Sequence, residues 1–309
     1  MNRLRGQLAD YLEMRRALGF ALVRDGKPLA QFLDFLEDQG TDTVTIDAAL
    51  AWASMPGGGR SWMGWRMSIV RSFAAHLHTI DPAHQVLPAG LLPAGSHRMV
   101  PYLYSDADIA ALVEAADTLR YPLGRATYRT LIGLLATTGM RVGEALASDD
   151  PDLDPEVGVL TVRKAKSQTS RIVPLHASTL AAPAAYQGSR RTLTPRPPIT
   201  TPGLFVSTAG TRLAYVNMSA TFPKLLTRAG ISARSGACRP RIHDPRHSFA
   251  VATLIGWYRD GGDVAARLPL LSTHLGHSDP KSTYWYLHAA PELLALAADR
   301  LNGHRDGRP

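Results

Sequence analysis

The chain has 309 residues, 45% of them hydrophobic, with one cysteine, Cys238, and a net charge of +8. That length and apolar content suit about two domains with sizeable cores and exclude a wholly disordered polypeptide. A lone cysteine excludes an intrachain disulfide and favours a reducing compartment. The polar start is not a signal peptide, and no apolar run nears the ~18–20 residues of a membrane span, so a cytoplasmic protein with no membrane partner is expected.

The first ~85 residues carry apolar positions at helical spacing. Leu4, Leu8, Tyr11 and Leu12 form one set, and Leu29, Phe32, Leu33 and Leu36 another. Gly40-Thr41-Asp42 closes one segment and prepares the next. Pro56-Gly57-Gly58-Gly59 is a break, and Trp62, Trp65, Ile69, Phe73 and Leu77 mark a further amphipathic helix beyond it. A bundle of about four helices is expected from this pattern, spanning residues 1–87. Leu87 to Pro101 is rich in Pro and Gly and reads as part of a linker, residues 88–103.

Ser105 is placed to cap a helix carrying Ile109, Leu112 and Val113. Tyr128 to Thr138 reads as a buried helix interrupted at Gly139. Val157–Val162 and Arg171–Pro174 are short β-rich runs, and the polar KAKSQTS between them makes a hairpin. Tyr186 to Pro202 reads as a basic, Pro-rich loop. From His243 the chain is helical again, with Asp244 as cap and Pro245 at the first helical position. The fold class is therefore mainly α with a small antiparallel β-sheet, an α+β chain.

Charge is spread unevenly. Val157 to His243 holds 13 Lys and Arg and no acidic residue. A solvated surface normally mixes both signs, so this bias points to an anionic partner, with double-stranded DNA or another nucleic acid the best fit. Arg60, Arg66 and Arg71 in the helical part, with Lys164, Arg171, Arg212 and Arg241 in the basic part, are the candidate DNA contacts.

Several residues have the chemistry of phosphoryl transfer. Two guanidiniums, Arg141 and Arg246, can clamp the non-bridging oxygens of a phosphodiester in bidentate fashion. The imidazoles of His243 and His277 can donate to those oxygens or move a proton. A lysine, Lys164 or Lys166, can protonate a departing oxygen. A tyrosine can attack phosphorus and hold it as an ester, although its free pKa of ~10 demands a strongly cationic pocket. In HLGHSDPKSTYWYLH both Tyr284 and Tyr286 qualify. Residues two apart on a helix point about 200° apart, so only one of them can face the phosphate. No carboxylate cluster accompanies these groups, as a metal-dependent nuclease would require, and no cofactor or metal is expected. His274 and His277 lack the acidic or cysteine partners of a zinc site.

These residues fall in strings that resemble the tyrosine recombinase (phage integrase) family. Thr138-Gly139-Met140-Arg141-Val142-Gly143-Glu144 resembles its first-arginine box, and His243-Asp244-Pro245-Arg246-His247 its His-x-x-Arg box. Leu275-Gly276-His277 with a tyrosine nine residues later resembles its last box, and Val162 to Pro174 its lysine hairpin. Pro245 departs from the leucine common in the family. The resemblance covers roughly residues 104–302 as a catalytic domain, leaving 303–309 as a tail, and matches the N-terminal bundle to the family's core-binding domain by length and pattern alone. It selects Tyr286 as nucleophile and, five positions before Arg171, Lys166 as the lysine.

The resemblance implies site-specific DNA recombination through a 3′-phosphotyrosyl intermediate, with Arg141 and Arg246 holding the phosphate. It further implies a homo-tetramer on two DNA sites with C-terminal helix exchange, and accessory recombination proteins in some systems. Glu144 is expected to orient Arg141 or cap a helix, and His247 to be structural. The N-terminal part is too short to add an arm-binding domain, which favours a simple integrase, resolvase or transposon-borne enzyme. A nicking-closing topoisomerase with the same chemistry and a DNA-binding protein with a vestigial site are the alternatives.

Overall fold

The computed structural model describes residues 2–20, 22, 25–92, 100–163, 170–193, 198–277, 279, 281–288 and 293–295. The chain divides into two compact units, Met1–Met99 and Val100–Pro309. The described residues include no helix long and apolar enough to cross a membrane.

The first unit contains α1 (Asn2–Ala17), α2 (Gly26–Asp38), α3 (Ile46–Ala53) and α4 (Arg60–Ile80). Their spacing of apolar residues has the expected consequence. Leu4, Leu8 and Tyr11 of α1 meet Phe32, Leu33 and Leu36 of α2 and Val70, Phe73 and Leu77 of α4 in one core. Each fully buried side chain of this kind contributes about 1.5–3 kcal/mol. Thr45 starts α3 by accepting a hydrogen bond from the Ala48 N–H at 3.2 Å. The stretch expected as a linker is divided between the units. Leu87, Leu91 and Leu92 pack on the first core, while Tyr102 and Tyr104 belong to the second.

The second unit opens with α5 (Asp106–Asp117), where Ser105 and Asp108 form a reciprocal capping box. α6 (Pro122–Thr138) comes next and buries Leu131, Ile132, Leu134 and Leu135. After the short α7 (Val142–Ala147) come β1 (Leu153–Asp154), β2 (Val159–Val162) and β3 (Arg171–Pro174), an antiparallel sheet in that order. The register pairs Leu153 with Leu160, and Val162 with Arg171. α8 (Ala177–Ser189) and α9 (Tyr215–Arg228) complete the main core; Tyr186 is buried within α8, so the expected loop begins later than the composition suggests.

A second, smaller core lies under α10 (Asp244–Arg259) and α11 (Val264–Leu275). It contains Val251, Leu254, Leu268, Leu271 and Leu275, and also Tyr286 and Leu293. α12 (Lys281–Tyr284) leads into a 3-10 turn, Trp285–His288. His243, not Asp244, is the capping residue of α10, and the Asp244 carboxylate instead accepts from the Arg241 N–H at 2.9 Å and its guanidinium at 3.0 Å.

Candidate active site

Two helix ends create the site. α6 stops at Gly139 and α11 at Gly276, both left-handed, with φ of 61° and 66°. Such a cap turns the chain away and leaves the final carbonyls without helical partners. Those carbonyls carry the negative end of each helix dipole, a natural seat for cations. At the end of α11, three successive carbonyls accept from three different arginines. His274 O takes Arg171 Nε at 2.8 Å, Leu275 O takes Arg246 Nη2 at 2.7 Å, and Gly276 O takes Arg141 Nη2 at 3.0 Å. At the end of α6, Gly139 O accepts from Arg246 Nη1 at 2.9 Å, and Thr138 O from His274 Nε2 at 2.8 Å.

Glu144, in the first turn of α7, joins two of these arginines. Its Oε1 accepts from Arg141 Nη1 at 2.7 Å and Arg171 Nη1 at 3.1 Å. Its Oε2 accepts from Arg171 Nη2 at 2.6 Å and the Arg141 N–H at 3.0 Å. Burial alone would raise this carboxyl, but the hydrogen bonds from Arg171 and Arg141 outweigh it and bring the group down to about 2. Glu144 thus both orients Arg141 and caps α7.

Arg246 and His243 lie on the N-terminal turn of α10. Burial, then the nearby Arg141 charge, lowers the Arg246 guanidinium to about 10, so it stays charged at neutral pH. The Tyr286 phenol lies close enough to this guanidinium for its negative form to act against that lowering. Tyr286 is 2% exposed and Tyr284 52%. The tyrosine that the structure turns toward the arginines is therefore Tyr286. Its ring lies beside His277, with centroids 6.0 Å apart, and His247, at 5.5 Å.

The imidazoles are all shifted toward the neutral form. Burial, then the charges of Arg246, Arg141 and Arg171, lowers His277 to about 4. Burial brings His247 to about 4 as well and lowers His243 and His274. His277 Nδ1 is bonded to the Thr283 hydroxyl at 2.7 Å, which fixes the ring. His243 keeps an exposed edge and stacks on Tyr215 with centroids 6.1 Å apart.

Arg141, Arg246, His277 and Tyr286 thus share one neighbourhood, and the exposed His243 feels the charges of Arg246 and Arg141. Lys164 and Lys166 lie outside the described residues. His274 does not pair with His277, since its ring nitrogen is committed to Thr138 O. Among the described residues no three His, Cys, Asp or Glu side chains are grouped to hold a metal ion.

Several expected DNA contacts have other partners. Arg171 has a side chain only 9% exposed and braces the site from within. Arg212 donates to Leu146 O at 3.1 Å and Ser148 O at 3.0 Å and pairs with Asp149. Arg241 pairs with Asp244. Arg66 donates to Trp52 O at 3.3 Å and stacks on the Trp52 and Trp62 rings, while Arg71 donates to Pro88 O at 3.2 Å. Arg60 is exposed at the start of α4.

The physical reason is that the acid-free stretch is acid-free only along the chain. Five of its arginines, at 163, 171, 190, 212 and 241, pair with carboxylates just outside it, at 152, 144, 150, 149 and 244. Residues that the sequence did not single out for the site are Arg171 as a brace, Thr283 behind His277 and Tyr215 under His243. The only signal for the first was an arginine on a strand facing the apolar interior.

Comparison with known proteins matches the sequence to a family. The profile described as "Phage integrase family" matches residues 104–292. A Sinorhizobium fredii protein named as an integrase/recombinase, y4rB, is 40% identical over the whole of both chains. Tyrosine recombinase XerD of Caulobacter vibrioides is 30% identical over 92% of each chain. Among solved structures, the Tn1549 transposon integrase in complex with transposon right end DNA superposes with a TM-score of 0.65. It has 19% identity and covers 96% of this chain and 99% of its own.

Proposed function

Because the chain belongs to the phage integrase family, we propose that it is a site-specific DNA recombinase that cuts and rejoins strands through Tyr286. The Tyr286 oxygen attacks the scissile phosphorus and forms a 3′-phosphotyrosyl ester. The bond to the 5′ oxygen breaks, and that oxygen leaves as a hydroxyl after taking a proton. A 5′-hydroxyl from the partner duplex then attacks the ester, restores the phosphodiester and frees the tyrosine. Each step exchanges one phosphate ester for another, so neither step needs an external energy source.

The observation that carries this reading is the buried Tyr286 ring, 6.0 Å from that of His277 and close to the Arg246 guanidinium on which it acts electrostatically. A phenol against a buried guanidinium is stabilised as phenolate, and the same guanidinium can bind the phosphate under attack. Arg246 is held by two helix ends, so little reorganisation is needed as charge develops. Arg141 supplies the second cation. His243 is shifted toward its neutral form and so can accept the phenolic proton, and His277 donates to a phosphoryl oxygen. Lys166 is assigned the proton for the leaving 5′ oxygen on the resemblance alone.

Double-stranded DNA is the substrate. We further assign a homo-tetramer spanning two DNA sites, with exchange of the segment beyond Tyr286 between protomers, accessory proteins in some reactions, and action in the cytoplasm. Integrase, resolvase and transposon-borne roles share this chemistry.

The test uses duplexes selected from a random library by binding to the full chain carrying Tyr286→Phe. The selected duplex, nicked beside the cleavage position, traps the covalent intermediate. Wild type and Tyr284→Phe form a denaturation-resistant adduct, and Tyr286→Phe forms none. An adduct mapping to any other residue overturns the assignment. Relaxation of plasmid lacking the selected site favours the topoisomerase alternative.

A further inference from the structure

We propose that Arg171, through Glu144, is a positioning residue of the strand-cleavage reaction: it cancels the charge of that carboxylate so that Arg141 meets the phosphate as a full cation. This deepens the recombinase reading and rests on it.

Arg171 does not face a substrate. Its Nε, Nη1 and Nη2 are engaged by His274 O, Glu144 Oε1 and Glu144 Oε2 at 2.8, 3.1 and 2.6 Å. Every nitrogen of the fork is therefore occupied, and the side chain is 9% exposed. Arg141 differs. Its side chain is 27% exposed, and its contacts to Glu144 and Gly276 leave N–H groups over from the five a guanidinium carries.

The balance of charge sets the pull on a phosphate. Glu144 is 9% exposed, and burial and hydrogen bonding together leave it ionised down to about pH 2. With Arg141 alone it would form a closed, neutral pair, and an arriving phosphate would meet the charge of Arg246 without a second cation beside it. With Arg171 added, two guanidiniums share one carboxylate and one positive charge remains. That charge is exposed only on Arg141. Attraction for a phosphate in a water-poor site depends on this net charge far more than it would in bulk water.

The geometry adds a mechanical part. Arg171 is the first residue of β3, and its Nε is bonded to the last turn of α11, where Arg246 and Arg141 are also fastened. One side chain therefore holds the sheet, α7 and the end of α11 in register. A bulky apolar residue at 171 could fill that space but could not offset Glu144.

The test uses the full chain and the selected, nicked duplex, in ordinary form and with a neutral methylphosphonate at the scissile position. Single-turnover adduct formation is measured for Arg171→Gln, Glu144→Gln and the double variant, with thermal melting as a check of folding. Arg171→Gln is expected to slow adduct formation on the phosphate substrate by about 10²-fold, in line with loss of one electrostatic stabiliser. On the neutral substrate, which has no charge for Arg141 to meet, the loss shrinks to less than about tenfold. The double variant recovers at least about tenfold over Arg171→Gln on the phosphate, because removing Glu144 restores the missing charge.

A merely structural arginine predicts equal losses on both substrates and no recovery, and that outcome overturns the proposal. So does a rate for Arg171→Gln within about threefold of wild type. If Arg171→Gln does not fold, the double variant still decides. It has no unpaired buried carboxylate, and its rate should lie within about fivefold of Glu144→Gln; a further drop of about 10²-fold refutes the charge role. Absence of any adduct with wild type is a different failure, that of the recombinase reading itself.

Discussion

Among the described residues the N-terminal unit buries one polar side chain, His84, whereas the C-terminal unit buries eleven, among them Glu144, Asp244 and Arg246. Two arginines show the same contrast. Arg5 pairs with Asp34 and Glu37 at 2.7 and 2.9 Å on an open surface, with 44% of its side chain exposed. Arg246 is inside, bonded to the ends of two helices. Burying a charge is costly unless each donor finds a partner, and a bundle stable by apolar packing has no need of it. The C-terminal unit accepts that cost where three guanidiniums must point at one place. The comparison teaches that burial of charge, not abundance of charge, marks the working part of this chain.

The widest separation between the units is expected from one substitution made in both. Arg246→Lys keeps the charge but cannot bridge Gly139 O and Leu275 O while also presenting N–H groups to a phosphate. Adduct formation should fall by about 10²–10³-fold, the range for loss of a transition-state donor. Arg5→Lys should leave adduct rate and melting temperature unchanged, since exposed pairs contribute little. Equal effects at the two positions, read by single-turnover cleavage and thermal melting, would break the contrast.

Acid should separate the units next. Glu144 has its folded pKa depressed to about 2 from an ordinary 4.5. The stability linked to it is therefore fully present above about pH 4.5 and is lost as pH falls toward 2. The drop amounts to about 3 kcal/mol at ~1.4 kcal/mol per unit. Denaturant unfolding of wild type and Glu144→Gln at pH 6, 4 and 3 should show the two curves converging as pH falls. Curves that stay parallel would mean that the carboxylate is not held by its arginines.

How much of the molecule is readable in its sequence depends on the kind of signal each part leaves. The bundle was legible because apolar spacing dictates a helix face, and Leu4, Phe32 and Phe73 lie where the pattern puts them. The capping box at Ser105 and the hairpin strands were legible for similarly local reasons. α8, α9 and α11 left weaker traces, since each carries a proline inside it, at 183, 223 and 269. In the site, the six candidate groups were visible as residue types in familiar strings, but their environment was not. Whether Arg171 faces a phosphate or Glu144 depends on a carboxylate 27 positions away in the chain. Hydrogen bonds to helix-end carbonyls have no sequence signature at all beyond the glycine that exposes them.

The smallest expected difference concerns those glycines, and it isolates contact from backbone. Gly40, after α2, and Gly276, after α11, have φ of 65° and 66°. Alanine in that conformation costs roughly 1–2 kcal/mol at either position, through the clash of Cβ with the backbone. Their surroundings differ. A Cβ on Gly40 meets nothing within 4 Å, whereas one on Gly276 would lie 2.7 Å from Arg171 Nη1. That guanidinium is pinned by Glu144 and His274 O and cannot swing aside without releasing one of them. Both variants should therefore melt a few degrees lower, Gly276→Ala by the larger amount, and only Gly276→Ala should also slow adduct formation measured well below its melting temperature. If Gly40→Ala slows the reaction equally, the end of α11 has no special hold on the arginines, and the division between a packed bundle and a charge-organising unit fails at its most local point.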